Sequence, residues 1–182
     1  VMAILQDREG IYWFGGYNGL DRYDPKTEEF KNYKSRMENS SGLNSNTIYV
    51  VHEASDGKLW VGTDSGLYNF SKASGRFESF KQLEMLADKN IVGILEDDGG
   101  NLWLSTKYGL ICFNPDSGKV RPYYSEEGLQ SNEFNRFAYT KLESGEMMFG
   151  GVNGLNLFDP AKAVSNKKSP KVALTGLLVF NQ

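Results

Sequence analysis

Apolar and polar side chains alternate along this chain in short runs, and the runs come in sets. Ile48 to Glu53 (IYVVHE) leads into the turn residues Ser55-Asp56-Gly57, then Lys58 to Thr63 (KLWVGT), a turn at Asp64-Ser65-Gly66, and Leu67 to Phe70. Arg76 to Phe80 (RFESF) completes the set. A period of two, broken by turn signals at intervals of about eight to twelve residues, predicts four short antiparallel strands and not helices.

The set recurs. WFGGYNGL begins at Trp13, WVGTDSGL at Trp60, WLSTKYGL at Trp103 and MFGGVNGL at Met148, at spacings of 47, 43 and 45 residues. The closing glycines Gly19, Gly66, Gly109 and Gly154 keep the same spacings. A period in the forties belongs to propellers, helical solenoids or arrays, and the strand pattern selects the first. The predicted fold class is therefore all-β: β-propeller blades of four antiparallel strands, with four repeats present. They are assigned to residues 1–47, 48–90, 91–136 and 137–182, the last including an exit strand over Pro170 to Asn181. Asn18-Gly19 and Asn153-Gly154 read as tight hairpin turns, with positive φ expected at Asn as well as Gly. The three tryptophans, one per second strand, read as space-fillers between neighbouring blades, with Met148 as an adaptable substitute in the fourth unit.

Composition changes this picture little. The chain has 182 residues, 40% of them hydrophobic and 13% aromatic, with a net charge of -3, which suits a globular unit with a real core. Lys and Arg are scattered and form no basic stripe, so nucleic acid is not an expected partner of this segment. The longest apolar run, Val172 to Phe180, is too short for a membrane helix. Val1 to Leu5 already reads as a strand with no leader pattern, and the chain is expected to begin inside a larger protein.

The candidate chemistry is sparse. Cys112 is the only cysteine and His52 the only histidine, so neither an internal disulfide nor a multi-histidine metal site can be built. Cys112 reads as a packed or half-exposed strand residue and His52 as structural. Asp97-Asp98-Gly99-Gly100-Asn101 lacks the spaced ligands and closing Glu of a calcium loop and reads as a surface turn. No catalytic, metal or cofactor site is predicted.

Ile94 to Tyr123 (ILEDDGGNLWLSTKYGLICFNPDSGKVRPY) resembles the repeat of the two-component regulator propeller family. The resemblance runs through all four units. Gly128 to Pro160 (GLQSNEFNRFAYTKLESGEMMFGGVNGLNLFDP), followed by Pro170 to Asn181, is similar to the way such propellers end before a small β-sandwich domain. The resemblance implies rings of seven blades, often two in tandem, in the periplasmic sensor region of a hybrid two-component system of Bacteroidetes type. It further implies a membrane-anchored parent with a histidine kinase core, a receiver and often a helix-turn-helix domain, responding to oligosaccharides. This sequence departs from the family pattern at Ser105, where glycine is usual, and at Phe14-Gly15-Gly16 and Phe149-Gly150-Gly151, where VGT is usual.

In a four-stranded meander the turn after the second strand and the crossover to the next blade share one end. That end is the candidate ligand rim. Its turns contribute Tyr17 and Asn18, Asp64 and Ser65, Lys107 and Tyr108, and Asn153; its crossovers contribute Asn46, Asn132, Asn135 and Arg136. Two crossovers share a phrase, GLNSNTI from Gly42 and GLQSNEF from Gly128. Their Ser-Asn pairs fit either backbone-capping turns or a polar, sugar-compatible surface.

Three function classes stay open from the sequence: a ligand-sensing module, a propeller lyase or hydrolase acting on polysaccharide, and a non-catalytic scaffold. Four blades alone leave apolar faces uncovered, so closure on itself or self-association is expected.

Overall fold

The computed structural model describes residues 1–35, 42–80 and 90–163. Among these residues fifteen strands fall into four antiparallel sheets, each wound in sequence order. The first sheet holds β1 (Ala3–Gln6), β2 (Tyr12–Gly16), β3 (Gly19–Asp24) and β4 (Glu29–Tyr33). The second holds β5 (Ile48–Glu53), β6 (Leu59–Thr63), β7 (Gly66–Ser71) and β8 (Arg76–Ser79). The third holds β9 (Ile91–Glu96), β10 (Leu102–Thr106), β11 (Gly109–Phe113) and β12 (Val120–Tyr123). The fourth holds β13 (Phe134–Lys141), β14 (Met147–Gly151) and β15 (Gly154–Phe158). The innermost strands β1, β5, β9 and β13 adjoin in that order, which is a propeller arrangement.

The fourth sheet has three strands among the described residues, and the exit strand predicted over Pro170 to Asn181 lies outside them. β13 starts at Phe134, upstream of the 136/137 division drawn from the repeat.

The core consists of the interfaces between sheets. Trp13 sets its ring 5.3 Å from Phe70 of the next sheet, Trp60 lies 5.9 Å from Phe113, and Trp103 lies 4.8 Å from Phe158. Each tryptophan also meets an aromatic at or just past the outer strand of its own sheet: Tyr33 at 6.3 Å, Phe80 at 5.3 Å and Tyr123 at 5.5 Å. Such ring pairs add about 0.5–1.5 kcal/mol each beyond their area burial. All three tryptophans are buried. The space-filling role predicted for them is the one they have.

The turn after each second strand differs from the prediction in one respect. Gly16 pairs with Gly19, so the loop is Tyr17-Asn18 and not Asn18-Gly19. Positive φ falls on the glycine alone, at 92° for Gly19 and 127° for Gly154. This is the geometry of an ordinary turn followed by a left-handed glycine, which needs no positive φ at Asn. Glycine is required at 19 for a second reason: a Cβ there would strike the Tyr33 carbonyl.

The two ends of the arc leave apolar side chains uncovered. Ile4 is 69% exposed on the outward face of the first sheet, and Leu155 is 56% exposed on that of the fourth. The equivalent faces between sheets are buried, through Val51, Leu59 and Val61 in the second sheet and Ile94, Leu102 and Leu104 in the third.

Candidate functional site

The turns after the second strands and the crossovers do share one end, and backbone hydrogen bonds tie them together. The Gly19 amide donates to the Asn46 carbonyl at 2.8 Å, and the Gly109 amide donates to the Asn132 carbonyl at 2.7 Å. The shared Ser-Asn phrase does the same work twice. Asn46 Oδ1 accepts from the Ser35 amide and Asn132 Oδ1 from the Ser125 amide, each at 2.7 Å. Ser45 Oγ accepts from the Thr47 amide at 3.1 Å, and Ser131 Oγ from the Glu133 amide at 3.2 Å. The amide oxygens of Asn46 and Asn132 are thus committed to holding their crossovers in place.

The remaining rim candidates divide by exposure. Tyr17 is 72% exposed and Asn18 is exposed, with its carbonyl accepting from Asn32 Nδ2 at 3.0 Å. Ser65 is half-buried: its amide donates to Thr63 Oγ1 at 3.0 Å, and its hydroxyl lies 3.2 Å from the same oxygen. Asp64 has one carboxylate oxygen buried with no hydrogen-bond partner. Lys107 pairs with Glu133 at 3.4 Å, and Tyr108 beside it is exposed. The Asn153 amide donates to Gln130 Oε1 at 2.7 Å, while the Gln130 amide donates to Asn156 Oδ1 at 3.1 Å. Gln130, which no sequence motif marks out, ties the last crossover to the last hairpin.

Nearest the axis, the innermost strands break their pairing at one level. Pairing skips Tyr49 between Ile48 and Val50, and skips Val92 between Ile91 and Gly93. In β13 the break spans Phe134 to Tyr139, with Ala138 packed against Gly150. Asn135, Arg136 and Phe137 therefore stand where the second and third units have one residue each, and all three are exposed. The Arg136 guanidinium lies over the Tyr49 ring, 4.1 Å from its centroid, bringing together residues of the second and fourth sheets. Phe137 has a φ of 62°, a left-handed conformation that bulky residues rarely adopt.

The opposite end is a set of latches. The last residues of β5, β9 and β13 each reach the first hairpin of the sheet before. Glu53 accepts from the Arg8 amide at 2.9 Å. Glu96 accepts from the Ser55 amide at 2.7 Å and the Ser55 hydroxyl at 2.6 Å. Lys141 donates to the Glu96 carbonyl at 3.1 Å and pairs with Asp98 at 2.6 Å. Asp7 is buried and accepts from Trp13 Nε1 and Lys72 Nζ, each at 2.8 Å, and from the Ile11 amide. Burial pushes its carboxyl up, but the bonds from Lys72, Trp13 and Ile11 outweigh it and hold the group below the usual carboxylate range. Asp97 holds Trp103 Nε1 in the same way at 2.9 Å, so the run from Asp97 to Asn101 is a turn that anchors a core residue.

Neither singleton is set up for chemistry. His52 sits at the latch end, with Nε2 3.8 Å from Glu96. Burial lowers its pKa more than Glu96 raises it, so the imidazole stays neutral. Burial, with Asp97 adding to it, pushes the Cys112 thiol up to about 11, which leaves no thiolate at neutral pH. Among the described residues there is no group of three His, Cys, Asp or Glu side chains that could hold a metal ion. No helix among them is long and apolar enough to cross a membrane.

Comparison with known proteins agrees with this architecture. The two component regulator propeller model matches residues 42–65 and 85–108. Histidine kinase P4 of Formosa agariphila is 35% identical over an alignment covering 97% of this chain and 17% of that protein. The extracellular domain assigned to the hybrid two-component system BT3049 of B. thetaiotaomicron superposes with a TM-score of 0.77 at 31% identity, covering 88% of this chain and 22% of that one. The extracellular domain assigned to BT4673 of the same organism has a TM-score of 0.69 at 24% identity, covering 92% and 21%. This chain thus spans about a fifth of the length of the proteins it matches and is homologous to an extracellular sensor domain of a hybrid two-component system. With its four-fold repeat, its strand order and its interblade tryptophans, the chain is similar to the two component regulator propeller family, whose model matches stretches in two of its four units.

Proposed function

We propose that this chain is a ligand-sensing segment of the periplasmic region of a membrane-anchored hybrid two-component sensor, answering oligosaccharides and relaying the signal to a kinase core and transcription regulator elsewhere in the protein. The observation that supports it best is the likeness to the BT3049 extracellular domain, joined to a rim whose side chains differ from blade to blade on a constant backbone. Tyr17, Asn18, Lys107, Tyr108, Asn135, Arg136 and Asn153 form the exposed part of that rim.

Calorimetric titration with an oligosaccharide panel, followed by chromatography of the same samples, tests the reading. Binding without product is expected. Turnover that disappears with one substitution would favour a lyase or hydrolase instead, although His52 lies at the end away from the rim. The exposed outward faces at Ile4 and Leu155 support coverage by further blades or by a second copy. Light scattering from a stable, open monomer of this chain would overturn that part.

A further inference from the structure

We propose that the three-residue break in β13 is a subsite for the anionic group of an acidic oligosaccharide, with Arg136 as the charge reader and Phe137 as the stacking surface. The proposal deepens the sensor reading and rests on it. The starting observation is a difference in length. GLNSNTIYVV from Gly42 and GLQSNEFNRFAY from Gly128 match through the Ser-Asn clamp and then diverge, the second carrying two more residues before pairing resumes. Both crossovers are held by the same pair of side-chain hydrogen bonds, so the extra length is not taken up in the loop. It emerges in the strand nearest the axis, at the rim.

The emerging side chains are arranged for a ligand and not for the fold. Arg136 is exposed, and among the described residues it meets no carboxylate; its one contact is the Tyr49 ring beneath it. Stacking occupies the face of a guanidinium and leaves its edge of N–H donors free, the edge that binds carboxylate or sulfate through two parallel hydrogen bonds. Lys107, by contrast, is paired with Glu133. Phe137 is 66% exposed at a backbone angle costing roughly 1–3 kcal/mol, a cost that packing does not explain because the ring packs on nothing in the core. A large exposed ring on the residue next to a guanidinium whose edge is free suits a sugar that offers a C–H face and an acidic substituent. Neutral sugars give Arg136 no charge to meet.

The test is isothermal titration of the 182-residue chain with digalacturonate, a galactose-sulfate disaccharide and lactose at fixed ionic strength. At least one acidic sugar is expected to bind, with affinity falling as salt rises. Arg136→Gln should weaken it tenfold or more and Arg136→Lys should restore only part, because the planar fork is lost. Phe137→Ala should weaken the acidic ligand while leaving the melting temperature unchanged or raised. Deleting Asn135 and Arg136, which returns the strand to the length of its counterparts, should abolish binding. Acidic sugar binding that survives Arg136→Gln, or lactose binding as tightly as the acidic sugars, overturns this proposal and leaves the sensor reading standing. Binding of none of the three overturns both.

Discussion

The two ends of the arc have the same strands behind them and opposite habits. At the latch end, equivalent positions do the same job at all three interfaces between sheets: Glu53, Glu96 and Lys141 each reach back to the preceding hairpin. Even where the charge inverts, at Lys141 and Asp98, the contact is kept. At the rim, the turns share a backbone and little else, with Tyr-Asn, Asp-Ser, Lys-Tyr and Val-Asn at equivalent places. A contact that every interface needs is repeated, and a contact that one ligand needs is written once. Variation on an unchanging backbone is therefore the better guide to function, and the two added residues of β13 are its largest instance.

The sharpest way to break the comparison is to attack what repeats. Trp60→Ala removes the ring between Phe80 and Phe113 and is expected to cost about 3–5 kcal/mol, read by urea unfolding. A loss below about 1 kcal/mol would mean that the interfaces are not the core.

Next in size is Asp7→Asn, which leaves Lys72 without one of its two closest carboxylate partners and should cost about 2–4 kcal/mol. Its pH dependence has a fixed sign. The folded carboxyl titrates below its unfolded value of about 3.9, so its contribution is full above that pH and is lost as pH falls through the lower folded pKa. Unfolding curves from pH 7 down to pH 3 should show the wild type losing more stability than the variant, and parallel losses would refute the assignment.

The rim should respond weakly in stability and strongly in binding. Asn132→Ala, which removes the clamp to the Ser125 amide, should cost about 1 kcal/mol and speed hydrogen exchange there. Tyr17→Ser and Tyr108→Ser should stay within about 0.5 kcal/mol of wild type. If these two destabilise as much as Asn132→Ala, the rim is structural and the contrast between the ends disappears.

The shared Ser-Asn phrase was visible in the sequence but not its use. Two readings were open because the same hydroxyl and amide groups can cap a backbone or face solvent, and only the positions of the Ser35 and Ser125 amides decide between them. The Asn-Gly pairs misled slightly: they mark the right turn, yet the loop sits one residue earlier, because glycine is wanted for the left-handed position after the turn. The acidic turn before Trp103 looked like surface and is one, but Asp97 also reaches the indole, a bond that spacing alone does not announce.

By itself the sequence determined whatever repeats. Period-two patterning, turn glycines and a tryptophan every 43 to 47 residues dictate strands, hairpins and blades, because each of those is a local property of a few consecutive residues. Only the tertiary structure decided what meets across sheets: Trp13 with Phe70, Glu96 with Ser55, and Arg136 with Tyr49 two blades away. Those contacts depend on how neighbouring sheets are set against one another, and no stretch of the chain contains that information alone. The proposed anion subsite is of this second kind, made of an insertion legible in the sequence and an aromatic partner that only folding supplies.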